Sequence, residues 1–203
     1  MAVTDHAYAL SIDPETTAWL LNETGAYSRQ WAMYRQARTL LERALTIREN
    51  HLGPDHPDTA VSLNNLALVL HDQGDLSQAR AFLERALTIR QVCLGHDHPE
   101  TADSLDSLAL VLHDVGDLSA AQECYGRALA IREARLGADH PDLAWTLTSL
   151  GSLLQDQGDL HQARTLYERA LAIREARLGA DHPDTVRSRE RLAAVVAALE
   201  NRE

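Results

Sequence analysis

A period of 42 residues runs through this sequence. The dipeptide His-Pro occurs four times at that spacing, from His56-Pro57 to His182-Pro183, and Gly-Asp recurs at the same interval from Gly74 to Gly158. Glycine and proline punctuate turns, and repetition at a fixed interval of this length is typical of repeat architectures. The chain is therefore predicted to be an array of similar units rather than one irregular domain.

Between the turns, the apolar residues are spaced as they are on helices. Leu63, Leu66 and Leu70 stand three and four residues apart, which places them on one helical face. Ala79 and Leu83 begin a second stripe of this kind beyond the Gly-Asp turn. Two helices joined by a short turn make an antiparallel hairpin, so the predicted fold class is all-α, with one hairpin in each unit.

These residues resemble the tetratricopeptide repeats, specifically the kinesin light chain-like kind with a 42-residue repeat. The segments Ser62-Leu-Asn-Asn-Leu-Ala-Leu and Arg85-Ala-Leu-Thr-Ile-Arg are similar to repeats of that kind, and the resemblance covers about residues 15–200. It implies a right-handed superhelical solenoid of antiparallel helical hairpins that acts in protein binding. The positions that match the family pattern are Leu63, Leu66, Ala67, Leu70, Ala79, Leu83 and Ala86.

The units at the two ends differ from the central ones. In the first unit, Thr24, Gly25 and Ser28 replace the usual apolar set, and Trp31-Ala-Met-Tyr34 replaces the Gly-Asp turn. End repeats are commonly atypical because one of their faces meets water. The predicted divisions are an N-terminal segment 1–14, a degenerate repeat 15–57, three repeats 58–99, 100–141 and 142–183, and a C-terminal capping or interface helix 184–203.

Composition excludes several kinds of partner. The chain has 203 residues and a formal net charge of −11, and 45% of its residues are hydrophobic, enough to bury a core. Nucleic acids and anionic membrane surfaces bind clustered Lys and Arg, so an acidic chain is a poor match for either. No apolar run approaches the roughly 18 residues of a spanning helix, and the N-terminus lacks the order of a signal peptide. We therefore expect a cytoplasmic protein with two free cysteines.

The resemblance also implies a concave groove lined by the first helices of the hairpins. In kinesin light chain-like arrays, asparagines on these helices bond the backbone of an extended peptide, and Asn22 and Asn64 match that role. Aspartates stand at many other groove positions, and a carboxylate accepts hydrogen bonds but donates none. We therefore expect a protein or peptide partner with a basic segment. The predicted partner-binding residues are Asn22, Asn64, Leu68, His71, Asp72, Asp103, Asp106, Leu110, His113, Asp114, Trp145, Thr148 and Asp156.

The C-terminal helix suggests a second function, self-assembly. Its segment from residue 192 to 199 is apolar on every side, whereas a lone capping helix should be polar outside. It is therefore expected to meet a partner, a second copy or a continuation of the chain. The predicted interface residues are Leu192, Val195, Val196 and Leu199.

A third alternative is metal binding or catalysis in the groove. His71 and His113, together with neighbouring aspartates, could bind a divalent cation or perform acid–base chemistry. The sequence contains no Gly-rich phosphate loop and no evident nucleophile, so a non-catalytic protein without metal or cofactor is expected. The histidines of the His-Pro pairs are expected to cap helices, and second-helix arginines such as Arg127 and Arg169 to face solvent.

Overall fold

In a computed structural model, which describes residues 13–201, the chain is all-α. It divides into two compact units, residues 1–96 and 97–203, and each is considered separately. The described part of the first unit contains four helices: α1 Pro14–Gln30, α2 Tyr34–His51, α3 Pro57–Asp72 and α4 Leu76–Cys93. The described part of the second unit contains five helices: α5 Pro99–Asp114, α6 Leu118–Leu136, α7 Leu143–Asp156, α8 Leu160–Leu178 and α9 Pro183–Glu200.

Three of the four His-Pro pairs begin helices, as expected, whereas α7 begins two residues after Pro141, at Leu143. The Nδ1 atom of His56 accepts a hydrogen bond from the Asp58 N–H at 3.2 Å, and His98 and His182 cap α5 and α9 in the same way. The proline that follows each of these histidines loses no needed hydrogen bond, because the first N–H groups of a helix have no partner within it. An aromatic cap therefore serves the role that Ser or Asp usually fills.

The Gly-Asp pairs make the turn inside three hairpins, α3–α4, α5–α6 and α7–α8. Gly74 has a φ of +83°, a left-handed conformation that glycine adopts without steric cost, and Asp75 then accepts a hydrogen bond from the Gln78 N–H at the start of α4. The equivalent aspartates of the second unit, Asp117 and Asp159, cap α6 and α8.

In the first unit, α1 and α2 form one hairpin, α3 and α4 form another, and α2 packs against α3. Leu63 and Ala86 lie in a core cluster between α3 and α4. In the first hairpin, a Cβ atom on Gly25 would lie 2.7 Å from the Leu41 Cγ, so the absence of a side chain lets the two helices approach. The departure of Gly25 from the family pattern thus has a packing role.

In the second unit, α5 pairs with α6, α7 pairs with α8, and α9 packs against α8. A Cβ atom on Gly151 would lie 2.8 Å from the Tyr167 Cε1, which explains the small residue at this position of α7. Val195 is 0% exposed and anchors α9. The expectation that Val195 faces a second copy is therefore wrong, because its side chain belongs to the core of the unit. Leu192, Val196 and Leu199 are half-buried.

Ala32 occupies the position in the first hairpin that Gly74 occupies in the second, and its φ is +57°. An alanine in this left-handed region has a steric cost of about 1–2 kcal/mol. We expect Ala32→Gly to raise the free energy of unfolding by about 1 kcal/mol, as measured by urea denaturation.

The matched control is Gly74→Ala, because a Cβ atom there meets nothing within 4 Å and backbone conformation alone decides the effect. It should lower the free energy of unfolding by about the same amount. An unchanged or lowered urea midpoint for Ala32→Gly would show that this turn is not strained.

Candidate functional site

A row of arginines on the second helices is withdrawn from solvent. Arg48, Arg90 and Arg132 are buried, and Arg174, at the same position of the repeat, is half-buried. A guanidinium is always charged at neutral pH and must be hydrogen-bonded when it is buried. The partners of these arginines therefore decide the electrostatics of each unit.

Arg132 illustrates the arrangement in the second unit. Its guanidinium donates to Asp106 and to the Thr146 hydroxyl, and to Asp103 Oδ1 at 2.7 Å. Asp106, only 2% exposed, also accepts a hydrogen bond of 2.9 Å from Thr146. The arginine on α6 thus ties α5 to α7, so one charged group joins consecutive hairpins.

Similar bridges form at two other positions without a carboxylate. In the first unit, Arg48 donates to the Asp58 carbonyl and the Ser62 hydroxyl, both at 2.8 Å. In the second unit, Arg174 donates to the Thr148 hydroxyl at 2.9 Å and to the Ser188 hydroxyl. Burial lowers the pKa of both guanidinium groups below the usual value for arginine.

Sequence reasoning missed this row, although a signal was present. Arg48 follows Ala44 by four residues, and both lie on the buried face of α2. The dipeptide Ile-Arg recurs at each of these positions with the 42-residue period. Repetition of a charged residue in phase with the core alanines indicates a structural position rather than a solvated one.

Several carboxylates of the predicted acidic groove have partners within their own unit. Besides Asp103 and Asp106, Asp72 pairs with Arg29 at 2.5 Å, and an Asp156 carboxylate oxygen lies 2.8 Å from His113 Nε2. His71 Nδ1 lies 3.4 Å from Asp72. Composition shows charges but not their partners, so this pairing could not be inferred from the sequence. Asp114 is exposed.

The two asparagines assigned to peptide binding are buried. The Oδ1 atom of Asn22 accepts hydrogen bonds from Ser62 and Asn65, which ties α1 to α3. Asn64 is also buried, whereas Leu68 is half-buried. In this structure Asn22 thus acts between helices, and its amide is not presented to a ligand.

A cavity of about 320 Å³ in the second unit brings four predicted residues together. We call it the second cleft. The predicted members are Leu110, His113, Trp145 and Thr148; the further lining residues are Tyr125, Ser149, Ser152, Arg174, Asp184, Arg187, Ser188 and Arg191. Trp145 is 44% exposed, and its ring meets Tyr125 edge-on with a centroid separation of 6.3 Å. Sequence reasoning missed the arginines because all three of them lie on α8 and α9.

The first unit has a comparable cavity of about 330 Å³, the first cleft. Trp19, at the same repeat position as Trp145, is 53% exposed there. The remaining lining residues are Asp13, Glu15, Thr16, Arg48 and Asp58. Hydrogen bonds from the Thr16 hydroxyl and from the N–H groups of Glu15 and Thr16 lower the pKa of Asp13, so it stays ionised as the cap of α1. This cleft is therefore acidic.

Within residues 13–201, no group of three or more His, Cys, Asp or Glu side chains is placed to hold a metal ion. None of the helices in that range is long and apolar enough to cross a membrane. Both cysteines are free thiols; Cys93 is exposed, and burial raises the pKa of Cys124.

These hairpins and their bridging arginines define an all-α protein built from tandem helical repeats. The chain belongs to the tetratricopeptide repeat family, whose sequence model matches residues 16–91, 64–134, 108–176 and 142–203. Members of this family generally bind protein partners and are typically non-catalytic. No curated protein sequence matches the chain.

Solved structures confirm the resemblance to kinesin light chain-like repeats. A Podosopora anserina protein with nearly identical TPR-like repeats of the kinesin light chain type has 26% identity and a TM-score of 0.77, over 94% of this chain and 90% of that one. A single-residue variant of the same protein gives 25% identity and a TM-score of 0.78 over the same shares. BtubC (BKLC) from P. vanneervenii has 26% identity and a TM-score of 0.71, over 84% of this chain and 68% of that one.

The buried ion pair of Arg132 and Asp106 leads to a prediction about stability. Arg132→Met leaves Asp106 charged and buried without its main partner, so it should lower the free energy of unfolding by about 3–5 kcal/mol in urea denaturation. Arg127→Met, on the exposed side of the same helix, removes the same charge and should change stability by less than about 0.5 kcal/mol.

A double variant, Arg132→Met with Asp106→Leu, should recover part of the loss because no buried charge is left unpaired. Equal destabilisation by Arg132→Met and Arg127→Met would contradict the assignment of Arg132 to the bridge.

Proposed function

We propose that this chain is a non-catalytic protein–protein interaction scaffold that holds segments of a partner in its two clefts. The observation that carries the proposal is a pair of exposed indoles: Trp19 and Trp145 occupy the same repeat position and each lines a cleft. Aromatic side chains in partly enclosed sites commonly supply much of the binding energy at protein interfaces. A partner segment can lay an apolar side chain against each indole.

The first cleft supports the expectation of a basic partner. Asp13, Glu15 and Asp58 bring three carboxylates to it, against one guanidinium, Arg48, which is already hydrogen-bonded. A Lys or Arg side chain placed beside Trp19 would meet both the ring and these carboxylates. Selection for a basic segment thus belongs to this cleft rather than to the paired aspartates of the first helices.

Partner capture from an extract of cells that make this protein, followed by mass spectrometry, tests the proposal. The recovery of proteins that the unsubstituted chain captures should fall at least tenfold with Trp19→Ala or Trp145→Ala. That factor corresponds to a hot spot worth about 1.4 kcal/mol or more. Trp31→Ala is the matched control, because Trp31 is 66% exposed but lines neither cleft. Retention of every partner by both cleft variants would contradict the scaffold proposal.

The charge preference has its own test. Glu15→Lys reverses one charge in the first cleft and should weaken capture of a basic partner, most strongly at low salt, where exposed charges are least screened. Glu123→Lys makes the same change on the exposed face of α6 and should leave capture intact. Equal effects of the two variants would attribute the change to net charge and would oppose a basic-selective cleft.

Self-association is a second candidate, favoured by apolar side chains on the first hairpin. Leu20 and Tyr27 are exposed, whereas Ser62 and Val69, at the same repeat positions of α3, are buried. The equivalent face of a central repeat is therefore covered, and a second copy of the chain could cover this face of α1. A second copy could also cover the half-buried Leu192, Val196 and Leu199 of α9. Light scattering would show a mass above that of one chain, which Tyr27→Glu should lower; an unchanged monomer would remove this candidate.

A further inference from the structure

The second cleft carries a charge opposite to that of the protein as a whole. Arg174, Arg187 and Arg191 line it, and Asp184 is the one carboxylate among its lining residues. Asp184 is paired with Arg187 at 2.7 Å. The other basic candidate, His113, contacts the carboxylate of Asp156, a residue that does not line the second cleft. Two guanidinium charges, those of Arg174 and Arg191, are therefore left without a carboxylate.

The contacts of Arg174 and Arg191 also show that neither guanidinium is paired with a carboxylate. Among residues 13–201, Arg174 donates only to the hydroxyl groups of Thr148 and Ser188, and neither carries a charge. Arg191 is exposed and makes no ion pair with any residue between 13 and 201. Burial lowers the pKa of Arg174, and the nearby charges of Arg187 and Arg191 act in the same direction while Asp184 opposes them. The cleft is thus a site of positive potential.

Hydroxyl groups complete the lining. Ser149 and Ser152 on α7 add to those already named, and the buried Tyr125 hydroxyl lies close to Ser149 but makes no well-formed hydrogen bond among the described residues. By contrast, the Tyr167 hydroxyl donates to Gln155 at 3.2 Å. His113 occupies the position equivalent to Gln155 and contacts Asp156 instead, so the Tyr125 hydroxyl is not held as the Tyr167 hydroxyl is.

Two positive charges without a carboxylate, together with the hydroxyls of Ser149 and Ser152, match a dianion with multiple acceptor oxygens. A phosphate monoester on a side chain carries about −1.5 to −2 charges at neutral pH and three such oxygens, whereas one carboxylate carries a single charge. We infer that the second cleft binds a phosphorylated side chain of a partner segment, with the phosphate between Arg174 and Arg191 and the neighbouring part of the segment against Trp145. This inference rests on the proposed scaffold function and names the chemistry of one of its two clefts.

The charge of the whole chain separates this ligand from other sources of phosphate. Its net charge of −11 repels an extended polyanion or an anionic membrane. A single phosphate that enters a small positive cleft avoids most of that repulsion, since exposed charges more than about 10 Å away are largely screened at 0.1 M salt.

The inference can be tested with the whole chain and three tripeptides, blocked at both ends and of sequence Ala-X-Ala, where X is phosphoserine, serine or glutamate. The indole N–H signal of Trp145, assigned with Trp145→Phe, is followed by NMR during each titration at constant ionic strength. The phosphoserine peptide should bind saturably with a dissociation constant on the order of 1 mM or lower, and about tenfold more tightly than the glutamate peptide. The serine peptide should produce no saturable shift.

Three variants locate the binding. Arg191→Gln should weaken phosphoserine binding about tenfold, the effect of losing one charge-assisted hydrogen bond at a partly exposed site. Asp184→Asn should strengthen it, because the opposing carboxylate is removed and Arg187 is released. Arg177→Gln is the matched control, since this exposed arginine on α8 lies outside the second cleft and makes no ion pair within residues 13–201; it should bind as the unsubstituted chain does.

Several results would overturn the inference. Equal binding of the glutamate and phosphoserine peptides would reject selection for phosphate. Inorganic phosphate is titrated in the same way, and its binding as tightly as the phosphoserine peptide would reject recognition of a partner segment. Equal losses from Arg191→Gln and Arg177→Gln would reject the site. Because these titrations need no natural partner, their failure while Trp-dependent capture persists would reject only the phosphate assignment, and loss of capture dependence would reject the scaffold proposal separately.

Discussion

The buried arginine that joins one hairpin to the next is the interaction on which this structure depends. A guanidinium inside a helical stack needs hydrogen-bond acceptors, and Arg132 finds them on both neighbouring first helices, in Asp106 on α5 and Thr146 on α7. Because the fork of donors is planar and rigid, it fixes the register of the two hairpins as well as their contact. Aliphatic packing alone would bury similar area but would allow small shifts between hairpins, since hydrophobic contact is not directional.

One position of the repeat decides how much of that charge is compensated. The first-helix partner is Asp106 for Arg132 but Thr148 for Arg174, and these two residues stand one period apart. A carboxylate cancels the positive charge, whereas a hydroxyl satisfies a hydrogen bond and leaves the charge in place. The same scaffold can therefore carry a bridge whose positive charge is compensated by carboxylates in one hairpin and a positive cleft in the next.

Those features of the sequence that depend on local pattern were predictable. Turn residues, caps and apolar spacing act within a few residues, so the hairpins, the capping role of His56 and the family could be inferred. The pairing of Asp72 with Arg29 could not, because these residues are 43 positions apart and only the packing of α1 on α3 brings them together. Val195 was misassigned for a related reason: α9 is apolar on several sides, and only the contact with α8 shows which side is buried.

Net charge is consequently a poor guide to what this protein binds. The chain carries −11 charges, yet Arg174 and Arg191 give one cleft a positive potential, whereas Asp13, Glu15 and Asp58 make the other acidic. Both clefts contain an indole, an arginine and an aspartate at equivalent repeat positions. The residues that give them opposite charges come from other positions: Asp13 and Glu15 in the first cleft, and Arg187 and Arg191 in the second. A repeat protein of this kind can therefore present chemically different sites at equivalent places, so its partner preference has to be assigned cleft by cleft.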